Sequence, residues 1–199
     1  MTAARNSKPD RILDAAHRLL AEGGHATVTI TEIAREAGVS RGLLHYYFDS
    51  KEQILAQVVR RNVEQSIAET SGLLHEATSR EELVRQFLRA YQDALGRGTG
   101  YTLYFEAFVQ GRVHRTVRAE LADLFQARRD SLAAALRTAE ERGHVTLAAD
   151  AAGVASIILA IGDGVALQYL ADPQMPILEA GQAVMPLISE LLGGTATEQ

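Results

Sequence analysis

Apolar residues recur every three to four positions along most of the chain, and no long stretch alternates apolar with polar residues. The first pattern puts apolar side chains on one face of an α-helix, whereas alternation is typical of a β-strand. The sequence therefore predicts an all-α fold with about nine helices, separated by glycine, proline and capping residues. The predicted helices cover approximately residues 8–22, 30–37, 41–48, 51–71, 80–95, 101–110, 115–142, 149–170 and 177–192.

Three capping signals follow one another closely in the N-terminal quarter. Thr29 with Glu32, and Ser50 with Gln53, have the spacing of a capping box, and Ser40 begins the helix between them. Gly38 ends the helix that starts after Thr29 within about two turns. This local chemistry predicts two short helices joined by a tight turn, a helix-turn-helix over about residues 31–50.

The second short helix has a buried side and an open side in this prediction. Leu44, Tyr47 and Phe48 fall on its inner arc, and Ala34 and Gly38 let the two helices approach. The open side has the residue types that read a DNA major groove or bind phosphate at helix starts. The predicted DNA-binding residues are Thr29, Thr31, Ser40, Arg41, Gly42, Leu43, His45, Tyr46, Tyr47 and Lys51. The alternative is a plain helical corner with its aromatic residues in the core.

The charge distribution is compatible with this prediction. Residues 1–51 have a net charge of +1 and residues 52–199 a net charge of −6, which together give the −5 of the chain. A near-neutral N-terminal part, called the head here (residues 1–51), can approach phosphate through basic groups at its helix ends. The acidic remainder, called the body (residues 52–199), stays away from phosphate. The chain has no cysteine and its N-terminus does not look like a signal peptide, so a cytoplasmic protein is expected.

The segment TVTITEIAREAGVSRGLLHYYFDSKEQIL resembles the TetR family of bacterial transcriptional regulators over about residues 10–60. His45 stands where that family more often has Tyr. The segment IGDGVALQYLADP is more weakly similar to the BetI-type subgroup. The resemblance implies a DNA-binding domain over residues 1–51, a helical ligand-binding and dimerisation domain over 52–199, and a homodimer on a double-stranded operator.

Two groups of residues in the body fit those roles. Phe87, Tyr91, Tyr101, Tyr104, Phe105 and Phe108 are predicted to form the aromatic wall of an effector site, with Arg128, Asp163, Gln168 and Tyr169 as polar contacts. Two apolar stripes are predicted to form the dimer interface, with Ile157, Ile161 and Val165 beside Val154 and Ile158 in one, and Val184, Leu187 and Leu191 beside Ile188 and Leu192 in the other. Either group could instead be ordinary core.

These features predict a repressor that leaves a palindromic operator when an unidentified small molecule binds. A regulator controlled by a protein partner instead of a small molecule is the main alternative. No catalytic, metal-binding or cofactor motif is present in the sequence, so an enzyme is not expected. Residues 151–171 are long and apolar enough to span a bilayer, but Asp163 at mid-segment favours a helix buried in protein, and no membrane partner is expected.

Overall fold

A computed structural model describes residues 7–96 and 99–193, without the side chains of residues 73, 75, 90, 91, 93–96 and 99. Nine α-helices and no strand lie within these ranges, which confirms the all-α prediction. The helices are α1 (Lys8–Thr27), α2 (Ile30–Glu36), α3 (Arg41–Tyr47), α4 (Lys51–Glu76), α5 (Arg80–Gly96), α6 (Thr99–Gly111), α7 (Arg115–Glu141), α8 (Ala151–Ala171) and α9 (Ile177–Leu191).

Two helix ends differ from the prediction. Helix α1 was expected to end at Gly23 and Gly24, and Gly24 is indeed non-helical, but a short further turn runs to Thr27. The hydroxyl of Thr27 donates to the Gly23 carbonyl at 2.5 Å and so holds that turn. Helix α4 continues to Glu76, beyond the predicted end near Ser71, because an isolated glycine such as Gly72 is tolerated inside a helix.

The helices group into two compact units. Unit 1 contains the described residues up to Val63 together with Thr99–Leu124, and unit 2 contains Glu64–Gly98 with the described residues from Phe125 onward. Helices α4 and α7 each continue from one unit into the other. These packing units differ from the predicted division into a DNA-binding domain (1–51) and a ligand-binding and dimerisation domain (52–199). That division concerns function and stays a prediction.

The core of unit 1 forms where α1 packs against α2, α3 and α6. Its largest fully buried side chains come from each of these helices and from the first turns of α4. They include Ile12, Leu20, Ile33, Leu44, Ile54, Leu55, Val58 and Leu103. The head is therefore built around α1, and the short helices α2 and α3 depend on it for their burial.

Unit 2 has its own core, made by α5, α7, α8 and α9 and the end of α4. Helix α8 is the one described helix that is long and apolar enough to cross a membrane, and 28% of its most apolar stretch is buried within the chain. Length and composition alone are weak grounds for a membrane span, because helices that pack within soluble proteins meet the same test. The Asp163 carboxylate on this helix is paired with Arg128, as described below.

The end of α9 is fixed to the loop before α8. The amide of Ala148 donates to the Leu191 carbonyl at 3.0 Å, and Arg80 donates to the Gly193 carbonyl at 3.0 Å. Gly193 has a φ of +75°, and a Cβ built there would lie 2.2 Å from the Thr146 carbonyl oxygen. Glycine is required at this position for both its conformation and its lack of a side chain.

Replacing Gly193 by alanine is therefore expected to lower the free energy of unfolding by about 2–4 kcal/mol, through left-handed strain and the clash with Thr146. Gly72→Ala is the matched control, since a Cβ on Gly72 meets nothing within 4 Å. The control should raise stability by up to about 1 kcal/mol. Urea denaturation followed by circular dichroism, at one protein concentration, measures both. A Gly193→Ala protein as stable as the wild type would contradict this account.

Candidate nucleic-acid interface

The start of α2 is fixed by a complete capping box. The Thr29 side chain accepts from the Glu32 amide at 3.2 Å, and the Glu32 carboxylate accepts from the Thr29 amide at 2.8 Å. The Thr29 hydroxyl also donates to that carboxylate, and these hydrogen bonds hold the pKa of Glu32 below its usual value. The box leaves the Thr29 and Thr31 side chains exposed at the start of the helix, where a phosphate contact was predicted.

The turn between α2 and α3 depends on Gly38 and on a side chain from α1. Gly38 has a φ of +63°, and a Cβ there would lie 2.7 Å from Nη2 of Arg11. The Arg11 guanidinium donates to the carbonyl of the buried Ala37 at 2.7 Å and to that of Gly38 at 3.4 Å. The turn therefore allows the guanidinium of α1 to approach the free carbonyls at the end of α2.

Helix α3 is capped by Ser40, whose hydroxyl accepts from the Leu43 amide at 3.1 Å. Leu44 and Phe48 are buried as predicted, and Arg41, Gly42, His45 and Tyr46 are exposed as predicted. Two side chains differ from the expectation. Leu43 was expected on the open side but is half-buried, and Tyr47 was expected on the inner arc but is 36% exposed.

These two differences have a common cause in the geometry of a seven-residue helix. Tyr46 is 80% exposed, and its ring meets that of Tyr47 edge to face at 5.1 Å between centroids. Leu44 is the one buried residue within α3, and Leu43 and Tyr47, four positions apart, share one flank of the helix at the boundary between core and solvent. Tyr47 therefore lies at the edge of the open surface that contains Arg41, His45 and Tyr46.

Lys51 is not a free cation at the start of α4. Its ammonium group donates to the carbonyls of His25 and Val28, the latter at 2.8 Å, which lie at the end of α1. An ammonium has three donors, so one remains for a phosphate. The predicted phosphate contact thus stays open, and Lys51 also connects α4 to α1.

The predicted effector residues divide between the two units. In unit 1, Tyr101, Tyr104 and Phe105 are in mutual contact with centroid distances of 5.5–6.3 Å, whereas Phe108 is 55% exposed. In unit 2, Phe87 packs against the core. Tyr91 lies outside the residues whose side chains the structure describes.

The polar effector candidates all belong to unit 2. Arg128 donates to both carboxylate oxygens of Asp163, at 3.0 and 2.9 Å, and the two side chains are only 15% and 18% exposed. Gln168 is exposed and donates to the Gly164 carbonyl, and Tyr169 is half-buried. The structure brings Arg128 and Asp163 together and leaves Gln168 on the surface.

The two apolar stripes predicted for dimerisation each contain both buried and exposed residues. Val154, Ile158, Ile188 and Leu192 are buried in the core of unit 2, so these four were wrongly expected at an interface between chains. Ile157 and Leu187 are 51% and 53% exposed. Each stripe was too wide to face one way, because the sequence neighbours Ile157 and Ile158, like Leu187 and Ile188, lie about 100° apart around a helix.

The exposed edges of the stripes form an open apolar groove of about 340 Å³. It is lined by Ala148, Ile157, Ile161, Leu187, Glu190 and Leu191. Val165 and Val184 are half-buried in α8 and α9, and Val184 packs on the core of unit 2. The chain therefore leaves Ile157, Ile161, Leu187 and Leu191 together on one apolar surface.

Comparison with known sequences identifies the two regions separately. Residues 12–58 match the profile of the bacterial regulatory proteins of the tetR family, and residues 80–193 match that of the BetI-type transcriptional repressor C-terminal region. The chain belongs to the TetR family. It is thus a transcriptional regulator of that family, as the helix-turn-helix segment predicted.

Individual relatives agree with the family assignment. The chain is 49% identical to the HTH-type transcriptional regulator BetI of Agrobacterium fabrum over 49 residues, 25% of this chain and 24% of that one. It is similar in fold to a transcriptional regulator from Saccharomonospora viridis in complex with choline (26% identity, 92% and 95% coverage, TM-score 0.72). It is also similar in fold to FadR from Bacillus subtilis in complex with stearoyl-CoA (20% identity, 92% and 97% coverage, TM-score 0.72).

Sequence reasoning missed the side chains that hold this TetR-family head together. Arg11 contacts the turn at Ala37, and Lys51 contacts the end of α1 at His25. Each contact joins residues that are 26 positions apart in the sequence. Helical spacing shows which face of α1 is polar but not which carbonyl an arginine on that face reaches. The free carbonyls at the ends of α1 and α2 were the available signal, since helix ends need donors.

Removing the Arg11 guanidinium should destabilise the head more than removing an exposed one. Arg11→Met keeps the aliphatic stem but leaves the buried Ala37 carbonyl without this donor, at an expected cost of about 1–2 kcal/mol. Arg18→Met on the same helix removes only an exposed pair with Glu36 and should cost less than about 0.5 kcal/mol. Urea denaturation compares them, and equal losses would show that the turn does not depend on Arg11.

Proposed function

We propose that this TetR-family regulator binds a palindromic operator as a homodimer and leaves it when a small molecule binds the C-terminal region. The observation that carries the first part is the open surface of α3, where Arg41, His45, Tyr46 and Tyr47 are exposed beside a buried Leu44. Arg41 and the 80% exposed Tyr46 on this capped short helix have no role in the core, and Tyr47 lies at its edge with 36% of its surface exposed. They match the donors and planar groups that contact base edges and phosphates in a major groove.

Each predicted DNA residue has a role in this proposal. Arg41 pairs with a guanine or a phosphate, and Gly42 lets the backbone approach. Tyr46 and Tyr47 donate to phosphate, and half-buried Leu43 contacts a thymine methyl with its exposed part. Thr29, Thr31, Ser40 and Lys51 contact phosphates at helix starts, and His45 lies on the same surface.

Dimerisation is supported by the apolar groove on α8 and α9. Ile157 and Leu187 are large apolar side chains that a monomer would leave in water, and they adjoin Ile161 and Leu191. The same surfaces of two chains, related by a two-fold axis, would pack as a four-helix bundle. This pairing also accounts for the low burial of α8 within one chain, without a membrane, and it agrees with a cytoplasmic protein.

The effector part of the proposal is supported by ligands bound to solved relatives and by two groups of side chains in this chain. Solved relatives of this fold hold choline in one case and stearoyl-CoA in another, which shows that the fold accommodates chemically different ligands. In this chain the aromatic cluster of α6 and the Arg128–Asp163 pair of unit 2 are the groups proposed to respond to a ligand. Control by a protein partner remains the alternative, and titration of candidate small molecules against operator affinity separates the two.

Selection of duplexes from a random pool should enrich a palindrome whose half-sites are about one helical turn apart, roughly 34 Å. Arg41→Gln should then weaken binding to the enriched duplex about tenfold or more, because a bidentate base contact or a phosphate contact is lost. Fluorescence anisotropy at a fixed ionic strength measures the affinity. Arg137→Gln, the same change at an exposed residue of α7, is the matched control and should bind as the wild type does.

A protein that enriches no sequence at low salt would contradict the DNA-binding proposal. Enrichment with equal loss in the two arginine variants would mean that general charge, and not the α3 surface, is responsible.

A charged side chain introduced into the apolar groove should dissociate the proposed dimer. Leu187→Asp buries a carboxylate in the proposed interface and is expected to give a folded monomer that binds the palindrome at least about tenfold more weakly. Val109→Asp, at a similarly exposed apolar residue of α6, should leave a dimer. Sedimentation velocity reports the mass of each. A Leu187→Asp protein that remains dimeric would place the interface elsewhere.

A further inference from the structure

His25 is a buried histidine that no role described so far explains. It lies in the last turn of α1 and is only 7% exposed, and among the described residues it is the one polar side chain in the core. Its Nε2 atom has no hydrogen-bond partner. A buried, unsatisfied polar atom is costly, so this position would favour an apolar residue if packing alone decided it.

The groups that face His25 come from three elements of unit 1. Oε1 of Glu52 in α4 lies 3.4 Å from the His25 Nε2 atom, which is too far for a well-formed hydrogen bond. Lys51 in α4, Glu106 in α6 and His114 just before α7 are the other titratable groups near it. No group of three or more such side chains among the described residues could hold a metal ion.

The surroundings keep the imidazole neutral. Burial lowers the pKa of His25, the positive charges of Lys51 and His114 lower it further, and the carboxylates of Glu52 and Glu106 only partly oppose them. Lys51 also donates to the backbone carbonyl of His25 and thereby ties the start of α4 to the end of α1. Proton binding would place a second cation beside the Lys51 ammonium. Repulsion between the two would weaken the hydrogen bond from Lys51 to the His25 carbonyl.

Protonation would also disturb the first turn of α4. Burial of Glu52 would by itself raise its pKa, but hydrogen bonds from its own backbone amide and from Ser50 lower it, so the carboxylate is ionised and engaged at the helix start. An imidazolium 3.4 Å away would compete for this carboxylate. Only Phe48, Asp49 and Ser50 separate α3 from α4, so a change at the start of α4 would act close to α3.

We propose that His25 is a positioning residue for operator binding: its neutral imidazole fits the junction of α1, α4 and α6, and its protonation weakens binding. The proposal rests on the DNA-binding function proposed above. The sign follows from linkage. Because the pKa of His25 is lowered, the neutral, binding-competent junction persists below the ordinary value of 6.5 and is lost as the pH falls through the lowered pKa.

The test compares operator affinity at pH 7.5 and pH 5.5, on the enriched duplex and at constant ionic strength. The ratio of the two dissociation constants should be about fivefold larger for the wild type than for His25→Gln, which cannot take up the proton. His17→Gln is the matched control, because His17 is a second α1 histidine whose pKa is lowered, mainly by burial. Its ratio should equal that of the wild type. The DNA-facing residues are the same in all three proteins, so their contribution to the pH dependence cancels in this comparison.

Glu52→Gln provides an independent arm if His25→Gln fails to fold. Loss of this carboxylate removes a group that favours the imidazolium, so the acid weakening of binding should move to lower pH. Equal pH profiles for wild type and His25→Gln, or an unmoved midpoint in Glu52→Gln, would overturn the proposal. Failure of the wild type to bind at pH 7.5 would instead overturn the DNA-binding function itself.

Discussion

The placement of α3 depends on donors that α1 and α4 supply to free backbone carbonyls. Arg11 binds the carbonyls of Ala37 and Gly38 at the end of α2, and Lys51 binds those of His25 and Val28 at the end of α1. Helices as short as α2 and α3 have little stability of their own, so their orientation is set by such contacts and by burial against α1. The contacts of Arg11 and Lys51 lie away from the exposed side of α3, so they fix the helix and leave the proposed recognition surface open.

Local chemistry made much of this head predictable. Capping residues specify where a short helix starts through hydrogen bonds to residues three positions away. The hydroxyls of Thr29, Ser40 and Ser50 each accept the hydrogen bond from a backbone amide that their spacing predicted. The exposed and buried positions of α3 followed from the helix period, except at Leu43 and Tyr47, which share one flank of the helix. Contacts across 26 residues, such as those of Arg11 and Lys51, were not predictable, because periodicity does not specify which helices meet.

The body was predictable as helices and much less so as surfaces. An apolar stripe on α8 or α9 can face the core or a partner, and the sequence did not separate Val154 and Ile158, which are buried, from Ile157 and Ile161 beside them. The aromatic residues were likewise grouped by composition, yet Phe87 packs in unit 2 while Tyr101, Tyr104 and Phe105 cluster in unit 1. Tertiary packing decides these cases.

Amide hydrogen exchange of the full chain, with and without an enriched palindromic duplex, tests the central claim most directly. The account predicts that bound DNA slows exchange in α3 and at the starts of α2 and α4, and that α9 and the loop before α8 exchange as in the free protein. Protection confined to other helices, with residues 40–47 unchanged by saturating duplex, would contradict it.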